Sequence, residues 1–190
     1  ISNPNDSMTT GESVVMTCAR TGTAAAVKLL LDRGANPNAV DAERGQSALM
    51  WAIAENHVEA AAELLNHGAN PRSKSKGGFT PFLFAAQQGN VESAKLLLKA
   101  GVDINETSPE NGTALVLAAA SGREAFASYL AENGADVNAK DSFGMTALHY
   151  AVGKGILDLA GVEYFSYRQP PPNMHRLLQT LLSNGANPNV

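Results

Sequence analysis

Residues 78–105 show the apolar and polar pattern of two short amphipathic helices joined by a tight turn. Thr80 can cap the first helix with its hydroxyl group, and Pro81 follows where a missing N–H costs nothing. Gly89 can adopt the left-handed conformation that ends a helix. A second apolar run then recurs at helical spacing. A helix pair this short cannot bury its own apolar face, so the pattern predicts neighbours of the same kind.

The same pattern recurs along the rest of the chain. Glycines end the second helix of four successive copies, spaced 34, 33 and 33 residues apart, at Gly34, Gly68, Gly101 and Gly134. Gly185 ends a fifth copy 51 residues later, which is one period of 33 plus 18 residues. We therefore predict five repeats with an insertion at 156–173. The predicted repeats span about 7–39, 40–72, 73–105, 106–138 and 139–190.

The first helices of these copies open with related residues. The openings are Ser13-Val14-Val15-Met16, Ser47-Ala48-Leu49-Met50, Thr80-Pro81-Phe82-Leu83, Thr113-Ala114-Leu115-Val116 and Thr146-Ala147-Leu148-His149. With this period and these openings, the sequence resembles an ankyrin-repeat array over essentially its whole length, in a style similar to bacterial arrays. The resemblance implies an all-α, ankyrin-repeat solenoid of about five helix-turn-helix repeats joined by short β-hairpin loops.

Both ends of the chain fall within the repeat pattern. The residues 3–5 match 36–38, which follow a second helix, and the chain stops at 185–190, just as the next hairpin is due. We expect 1–190 to be a single ankyrin-repeat domain cut from a longer array or trimmed at both ends. An intracellular location is favoured, and a periplasmic or secreted one stays open because no native N-terminus is evident.

Composition favours a soluble monomer. The chain carries 14 Lys and Arg among 18 Asp and Glu, without a basic stripe, so nucleic acid is not an expected partner. No apolar run approaches the ~20 residues that span a bilayer, so no membrane insertion is expected. The single cysteine, Cys18, excludes an internal disulfide. Cys18 replaces the small Ala85 of the third repeat and is expected to be a buried, inert thiol.

The sequence offers no catalytic constellation. Its four histidines are too dispersed for a metal site, and no nucleophile or phosphate-loop motif is present. The resemblance implies that His149, in the opening motif, makes structural hydrogen bonds instead of acting in catalysis. No catalytic residue, metal or cofactor is therefore predicted, and the chain is not expected to be an enzyme.

One position of the first-helix motif carries large residues in most copies. It lies three and four residues before the polar pair Gln87 and Gln88, so all three share one helix face. In the resemblance this face lines the concave groove. We call this set the ladder, and its members are Thr17, Trp51, Phe84, Leu117 and Tyr150. Either these side chains pack on one another between repeats, or they form a partly exposed recognition stripe.

Function is therefore expected to be surface recognition: a non-catalytic module or scaffold that binds a protein or peptide through the concave face and hairpin tips. The predicted binding residues are Trp51, Phe84, Tyr150, Leu117, Thr17, Glu55, Gln87, Gln88, Arg44, Lys74, Lys76 and Phe143. The alternative is a regulatory or scaffolding segment of a longer enzyme or multidomain protein.

Two features of the loops bear on the partner. The tips have mixed charge, with Arg44, Lys74, Lys76 and Lys140 beside Glu110, which argues against a partner of a single charge sign. The linker 39–44 holds one more residue than its equivalents, so its tip is expected to bulge. The insertion is rich in aromatic residues and is expected to fold back on the flank of the array, the alternative being a dedicated partner site.

Overall fold

The structure is a computed structural model that describes residues 11–108, 112–152 and 175–189. Ten helices occur in these residues, and each first helix of six to eight residues is followed by a second helix of nine. They are α1 Val14–Arg20, α2 Ala24–Asp32, α3 Ala48–Ala54, α4 Val58–Asn66, α5 Pro81–Gln88, α6 Val91–Lys99, α7 Ala114–Ala120, α8 Glu124–Glu132, α9 Ala147–Val152 and α10 His175–Ser183.

The chain divides into two compact units. The first comprises Ile1–Ala85 and Glu92–Val102. Within it, α1 packs on α2 and α3, and α4 packs on α2 and α3, so first helices contact first helices and second helices contact second helices. Leu49, Ile53 and Leu64 are fully buried there. This packing buries the apolar helix faces that no single helix pair could shield from water.

The second unit comprises Ala86–Val91 and Asp103–Val190. It repeats the same arrangement: α7 packs on α8 and α9, and α10 packs on α8 and α9. Phe126, Leu177 and Leu181 fill its core.

Strand structure is slight in the described residues. In the second unit, β1 Thr107–Ser108 pairs antiparallel with β2 Gly112–Thr113, with Thr107 opposite Thr113. Elsewhere single bridges join Val40 to Ser47 and Lys140 to Thr146. These short pairings form the bases of the predicted hairpins.

Local chemistry explains where the first helices begin. Thr80 Oγ1 accepts a hydrogen bond from Leu83 N at 3.2 Å, and Ser47 and Thr113 make the equivalent caps on α3 and α7. In α9 the imidazole of His149 serves this end of the helix, because its Nδ1 accepts from Thr146 N at 3.1 Å. The structural role expected for His149 is therefore present.

The turn after the first helix of the third repeat lies at Gly89, where the sequence predicts it, and equivalent turns follow the other described first helices of the first four repeats. Gly22, Gly89 and Gly122 have φ angles of 74°, 79° and 71°. Asn56 takes this place after α3 with φ 64°, and it is the one non-glycine residue with positive φ among those described. Asparagine tolerates the left-handed conformation better than most residues, so it substitutes for glycine here.

Asparagine side chains tie consecutive hairpins together within each unit. In the first unit, Asn38 donates from Nδ2 to Gly68 O at 3.0 Å and accepts from Asn70 N at 2.7 Å. In the second unit, Asn138 makes the same two bonds, to Gly185 O at 3.2 Å and from Asn187 N at 2.8 Å. One amide therefore satisfies two backbone groups of the following repeat.

Arg72 takes over this role in the second repeat. It stands 34 residues after Asn38, where the pattern has asparagine. Its guanidinium donates to Gly101 O, the equivalent of Gly68 O. The longer side chain thus preserves the bond between repeats although the motif residue has changed.

Cys18 is half-buried and not fully buried as expected. Burial still raises the pKa of its thiol, which disfavours the reactive thiolate.

The insertion at 156–173 lies outside the described residues, so its folding back remains a prediction, as do the repeat boundaries.

His67 joins the first two repeats through an ionic contact. It caps the C-terminus of α4, with Nδ1 2.7 Å from Glu63 O and Nε2 3.1 Å from the Asp32 carboxylate on α2. Both neighbours are acceptors, so the geometry is satisfied fully only when both ring nitrogens carry a proton. The Glu63 carbonyl, and after it Asp32, raises the pKa of His67. Lys28, and after it His67, lowers the pKa of Asp32.

This contact predicts a pH dependence of stability. Because the pKa of His67 is raised in the folded state, its contribution is fully present below the ordinary value of about 6.5. It is lost as the pH rises through the higher folded value. Urea unfolding between about pH 6 and pH 8 should therefore show a fall in stability that is smaller in His67→Gln. His175→Gln, which removes an exposed imidazole at the start of α10, serves as the control substitution. Equal slopes for wild type and His67→Gln would contradict the assignment.

The bonds between repeats predict a second stability effect. Asn38→Ala removes two hydrogen bonds and should lower the free energy of unfolding by about 1–2 kcal/mol. Arg72→Ala removes one bond and should cost about 0.5–1 kcal/mol, whereas Arg72→Asn restores the usual motif and should cost less. Chemical denaturation measures these values. Lys74→Ala on the same hairpin is the control, with an expected change within about 0.5 kcal/mol. A similar loss in Arg72→Ala and Lys74→Ala would show that the Gly101 bond adds nothing.

Candidate binding surface

The ladder positions of the first unit lie at equivalent places on three first helices: Thr17 on α1, Trp51 on α3 and Phe84 on α5. All three side chains are half-buried. Glu55 follows Trp51 by one helical turn and is exposed. The face therefore presents part of each aromatic side chain, with the charged Glu55 beside Trp51.

Trp51 rests against the first repeat. The Arg20 guanidinium lies 5.8 Å from the centroid of its ring, within the range of a cation–π contact, and Arg20 is also 3.7 Å from Glu12. The indole Nε1 is buried and has no hydrogen-bond partner among the described residues. The polar edge of the ring therefore points inward, and only the remaining edge can meet a ligand.

Phe84 has a different support. The ring of Phe79, from the preceding hairpin, lies 5.5 Å away at a tilt of 54°, a favourable aromatic geometry. Within the described residues, Trp51 and Phe84 make no ring contact with each other. Each ring is thus held by a residue outside the ladder, not by mutual stacking.

The ladder positions of the second unit behave differently from those of the first. Leu117 is only 7% exposed, so it is core and offers a ligand little surface. Tyr150 is half-buried, and its hydroxyl donates to Asp141 Oδ2 at 2.6 Å. Its polar end is therefore engaged in holding a hairpin. In the same unit, Gln87 and Gln88 are exposed.

Asp141 organises the hairpin tip that carries Phe143. Its Oδ1 accepts from Phe143 N and from Met145 N, both at 2.9 Å, while its backbone carbonyl accepts from Gly144 N at 3.1 Å. Phe143 is 76% exposed at this tip. The tip thus holds an aromatic ring in solvent on a hydrogen-bonded backbone.

Asp41 plays the same part in the first unit. Its carboxylate accepts from Arg44 N at 2.5 Å and from Gln46 N at 2.8 Å. The second of these bonds spans five residues here and four at Asp141. The linker 39–44 was expected to bulge because it holds one extra residue. That residue lies within the turn that the Asp41 carboxylate closes.

The adjacent hairpin of the first unit contacts this tip directly. Lys76 N donates to Arg44 O at 2.9 Å, and Lys76 Nζ donates to Ala42 O at 2.6 Å. Arg44, Lys74 and Lys76 are all exposed. The structure thus brings together cations that are about 30 residues apart in the sequence.

Sequence reasoning missed several residues that shape these surfaces. The two aspartates at the tips were not predicted, although an Asp shortly before Gly is a recognised turn signal. His57 and Arg123, at the starts of second helices, bond the last turn of the first helix in the preceding repeat. His57 Nε2 lies 3.1 Å from Arg20 O, and Arg123 Nε donates to Gln87 O at 2.9 Å. Both satisfy carbonyls that the helix leaves free.

The described residues contain neither a metal-binding cluster nor a membrane-spanning helix. No three His, Cys, Asp or Glu side chains in that part of the chain lie close enough together to hold a metal ion. No helix there has the length and apolarity needed to cross a membrane.

Comparison with known proteins identifies the fold. The family model for ankyrin repeats (three copies) matches residues 15–108 and 82–165. This agrees with the all-α, ankyrin-repeat class predicted from the sequence, which is confirmed. Ankyrin repeats are generally protein–protein interaction modules, and the family is typically non-catalytic.

Relatives share shorter stretches. The chain is 41% identical over 71 residues to neurogenic locus notch homolog protein 1 of Danio rerio, covering 37% of this chain and 3% of that protein. It is 34% identical over 72 residues to 2-5A-dependent ribonuclease of Mus musculus, covering 38% and 10%. It is 38% identical over 68 residues to the B-cell lymphoma 3 protein homolog of Mus musculus, covering 36% and 15%. The chain thus spans a small part of each relative, and since the family model matches most of its residues, the chain belongs to the ankyrin-repeat family.

Proposed function

We propose that this chain is a non-catalytic binding module that recognises a protein or peptide through the first-helix face and hairpin tips of its first unit. The observation that carries the proposal is the partial exposure of Trp51 and Phe84, together with the neighbours that support their rings. Both residues are half-buried, so part of each side chain is accessible, and each ring is backed by a neighbour, Arg20 or Phe79. Supported aromatic rings at a surface are typical anchors of protein interfaces.

The mechanism is presentation of a preformed surface. The rings project from short helices whose opposite faces are packed in the core, so little side-chain freedom is left to lose on binding. The tips around Arg44 and Lys76 are fixed by backbone hydrogen bonds. A ligand would therefore gain apolar contact at the rings and polar contact at the tips at low ordering cost.

The second unit adds its own candidate contacts. Phe143 is an exposed ring on a tip closed by Asp141, and Tyr150 stiffens that tip through its hydroxyl. Gln87 and Gln88 supply exposed amides in the same unit. We assign these residues to partner contacts, with Tyr150 mainly as a support.

A second candidate function is that of a binding segment within a longer regulatory or multidomain protein. The relatives favour it, because the matched region covers only 3–15% of the notch, ribonuclease and lymphoma-protein relatives. The full reading frame in the source genome tests this alternative directly. A catalytic domain in the same frame would support it.

The ring surface gives a testable prediction. Peptides selected for binding from a random library serve as probes, and their affinities for variants are measured by calorimetry. Trp51→Ala and Phe84→Ala should each weaken binding by about 2 kcal/mol, roughly 30-fold, if the rings are anchors. Their melting temperatures should fall less than for a fully buried aromatic residue, whose truncation costs roughly 3–5 kcal/mol.

Leu29→Ala is the matched control for this experiment. Leu29 lies on α2 in the same unit and is 57% exposed. Its substitution by alanine therefore removes apolar surface away from the proposed site. Its variant should bind as the wild type does. The proposal fails if Trp51→Ala and Phe84→Ala both melt far earlier yet bind the peptides as tightly as before when folded in the cold.

A further inference from the structure

Charge in the first unit is distributed unevenly between its two sides. The hairpin segments 39–46 and 72–79 carry four cations, namely Arg44, Arg72, Lys74 and Lys76, against two acids, Asp41 and Glu43. We call Arg44, Lys74 and Lys76 the tip patch; the fourth cation, Arg72, is engaged with Gly101 O.

The acids on this side do not neutralise the patch. Asp41 is 4% exposed, and its carboxylate is bound by the backbone N–H groups of Arg44 and Gln46. Glu43 is the remaining acid and is exposed. No ion pair joins either acid to the tip patch in the part of the chain described. The cations are therefore left to outside partners.

The second helices of the same unit are arranged in the opposite way. Lys28 lies 2.6 Å from Asp32, and Lys95 lies 2.7 Å from Glu92. Two cations on that side, Lys28 and Lys95, are thus paired along their own helix at the favourable spacings of three or four residues, whereas Lys99 on α6 has no ion pair within the part of the chain described. Cations of this unit can therefore form ion pairs within the molecule, whereas the cations of the tip patch form none among the described residues.

Two residues of the patch are neighbours in the backbone, and the side-chain donors of the patch are available. The backbones of Arg44 and Lys76 are joined by a hydrogen bond of 2.9 Å. The Lys76 ammonium uses one of its three donors on Ala42 O, which leaves two. Among the described residues, the side chains of Arg44 and Lys74 make no hydrogen bond or ion pair. The Arg44 guanidinium therefore keeps its planar fork for a bidentate carboxylate contact.

We infer that the tip patch binds an acidic segment of the partner, a peptide rich in Asp or Glu whose carboxylates meet Arg44, Lys74 and Lys76. This inference rests on the proposed function and specifies its partner. It concerns the tips of the first unit alone, so the expectation of a mixed-charge partner, drawn from the tips of the whole chain, stays a prediction. A peptide fits better than a polynucleotide, since the chain has a net charge of −4 and the patch holds only three cations.

The test uses the complete 190-residue chain and two labelled peptides. One is about 12 residues long, an extended span of roughly 40 Å, and alternates Glu with Leu and Ser. The other has Gln at each Glu. Fluorescence anisotropy at about 50 mM salt should show the Glu peptide binding at least about tenfold more tightly, with the difference reduced at about 300 mM salt. Absence of measurable binding of the Glu peptide would overturn the inference.

A pair of charge-matched variants separates the patch from bulk electrostatics. The triple variant Arg44→Gln, Lys74→Gln, Lys76→Gln should lose the preference for Glu over Gln. The control Lys28→Gln, Lys95→Gln, Lys99→Gln removes three cations from second helices and should keep it. Loss of the preference in both variants would show a general charge effect and overturn the inference. Tighter binding of a single-stranded oligonucleotide of the same charge as the Glu peptide would overturn the peptide assignment.

The ring variants keep this inference distinguishable from the proposed function. If Trp51→Ala and Phe84→Ala leave both peptides unaffected while the tip variant loses the preference, the tip patch stands and the ring surface fails. If the ring variants weaken both peptides equally while the tip variant keeps the preference, the ring surface stands and the tip patch fails.

Discussion

The constraint on which this structure depends is the inability of a short helix pair to stabilise itself. Its described helices have six to nine residues, well below the ~12–15 at which an isolated helix is even marginal in water. Their stability therefore comes from packing against the equivalent helices of a neighbouring repeat. Within the first unit, α1 packs on α3 and α2 packs on α4, and this contact buries residues such as Leu49 and Leu64 completely. Each helix buries its apolar face in this packing, so only the opposite face and the hairpins remain accessible to a partner.

The hairpins are positioned by a second set of interactions, which is polar. Asn38 and Arg72 bond backbone carbonyls of the following repeat, and Asp41 and Asp141 close the tips through backbone N–H groups. These bonds fix the backbone without using the side chains at the outermost positions. That is why the tips can present groups as different as Arg44 and Phe143 on similar turns. In a repeat protein, such separation lets the recognition residues vary while the scaffold stays constant.

Equivalent positions nevertheless differ in what they do. Trp51, Leu117 and Tyr150 occupy one motif position, yet the first is partly exposed beside Arg20, the second is core and the third bonds a hairpin. Histidines differ in the same way: His149 closes a helix start, whereas His67 joins two repeats. A repeated motif thus specifies the position of a residue on its helix, and the neighbouring residues determine which contacts its side chain makes.

The sequence by itself determined the repeat period, the helix pairs, their caps and their turns. These are local properties: Thr80 caps α5, and Gly22 and Asn56 end their helices through conformations that those residues favour. Only the tertiary structure decided which ladder residues are exposed, that Arg72 makes the bond that asparagine makes elsewhere, and that Lys76 meets Arg44. The physical reason is that each of these outcomes depends on distances between atoms of different repeats. Those distances follow from packing and side-chain length, which a periodic pattern of residue types does not specify.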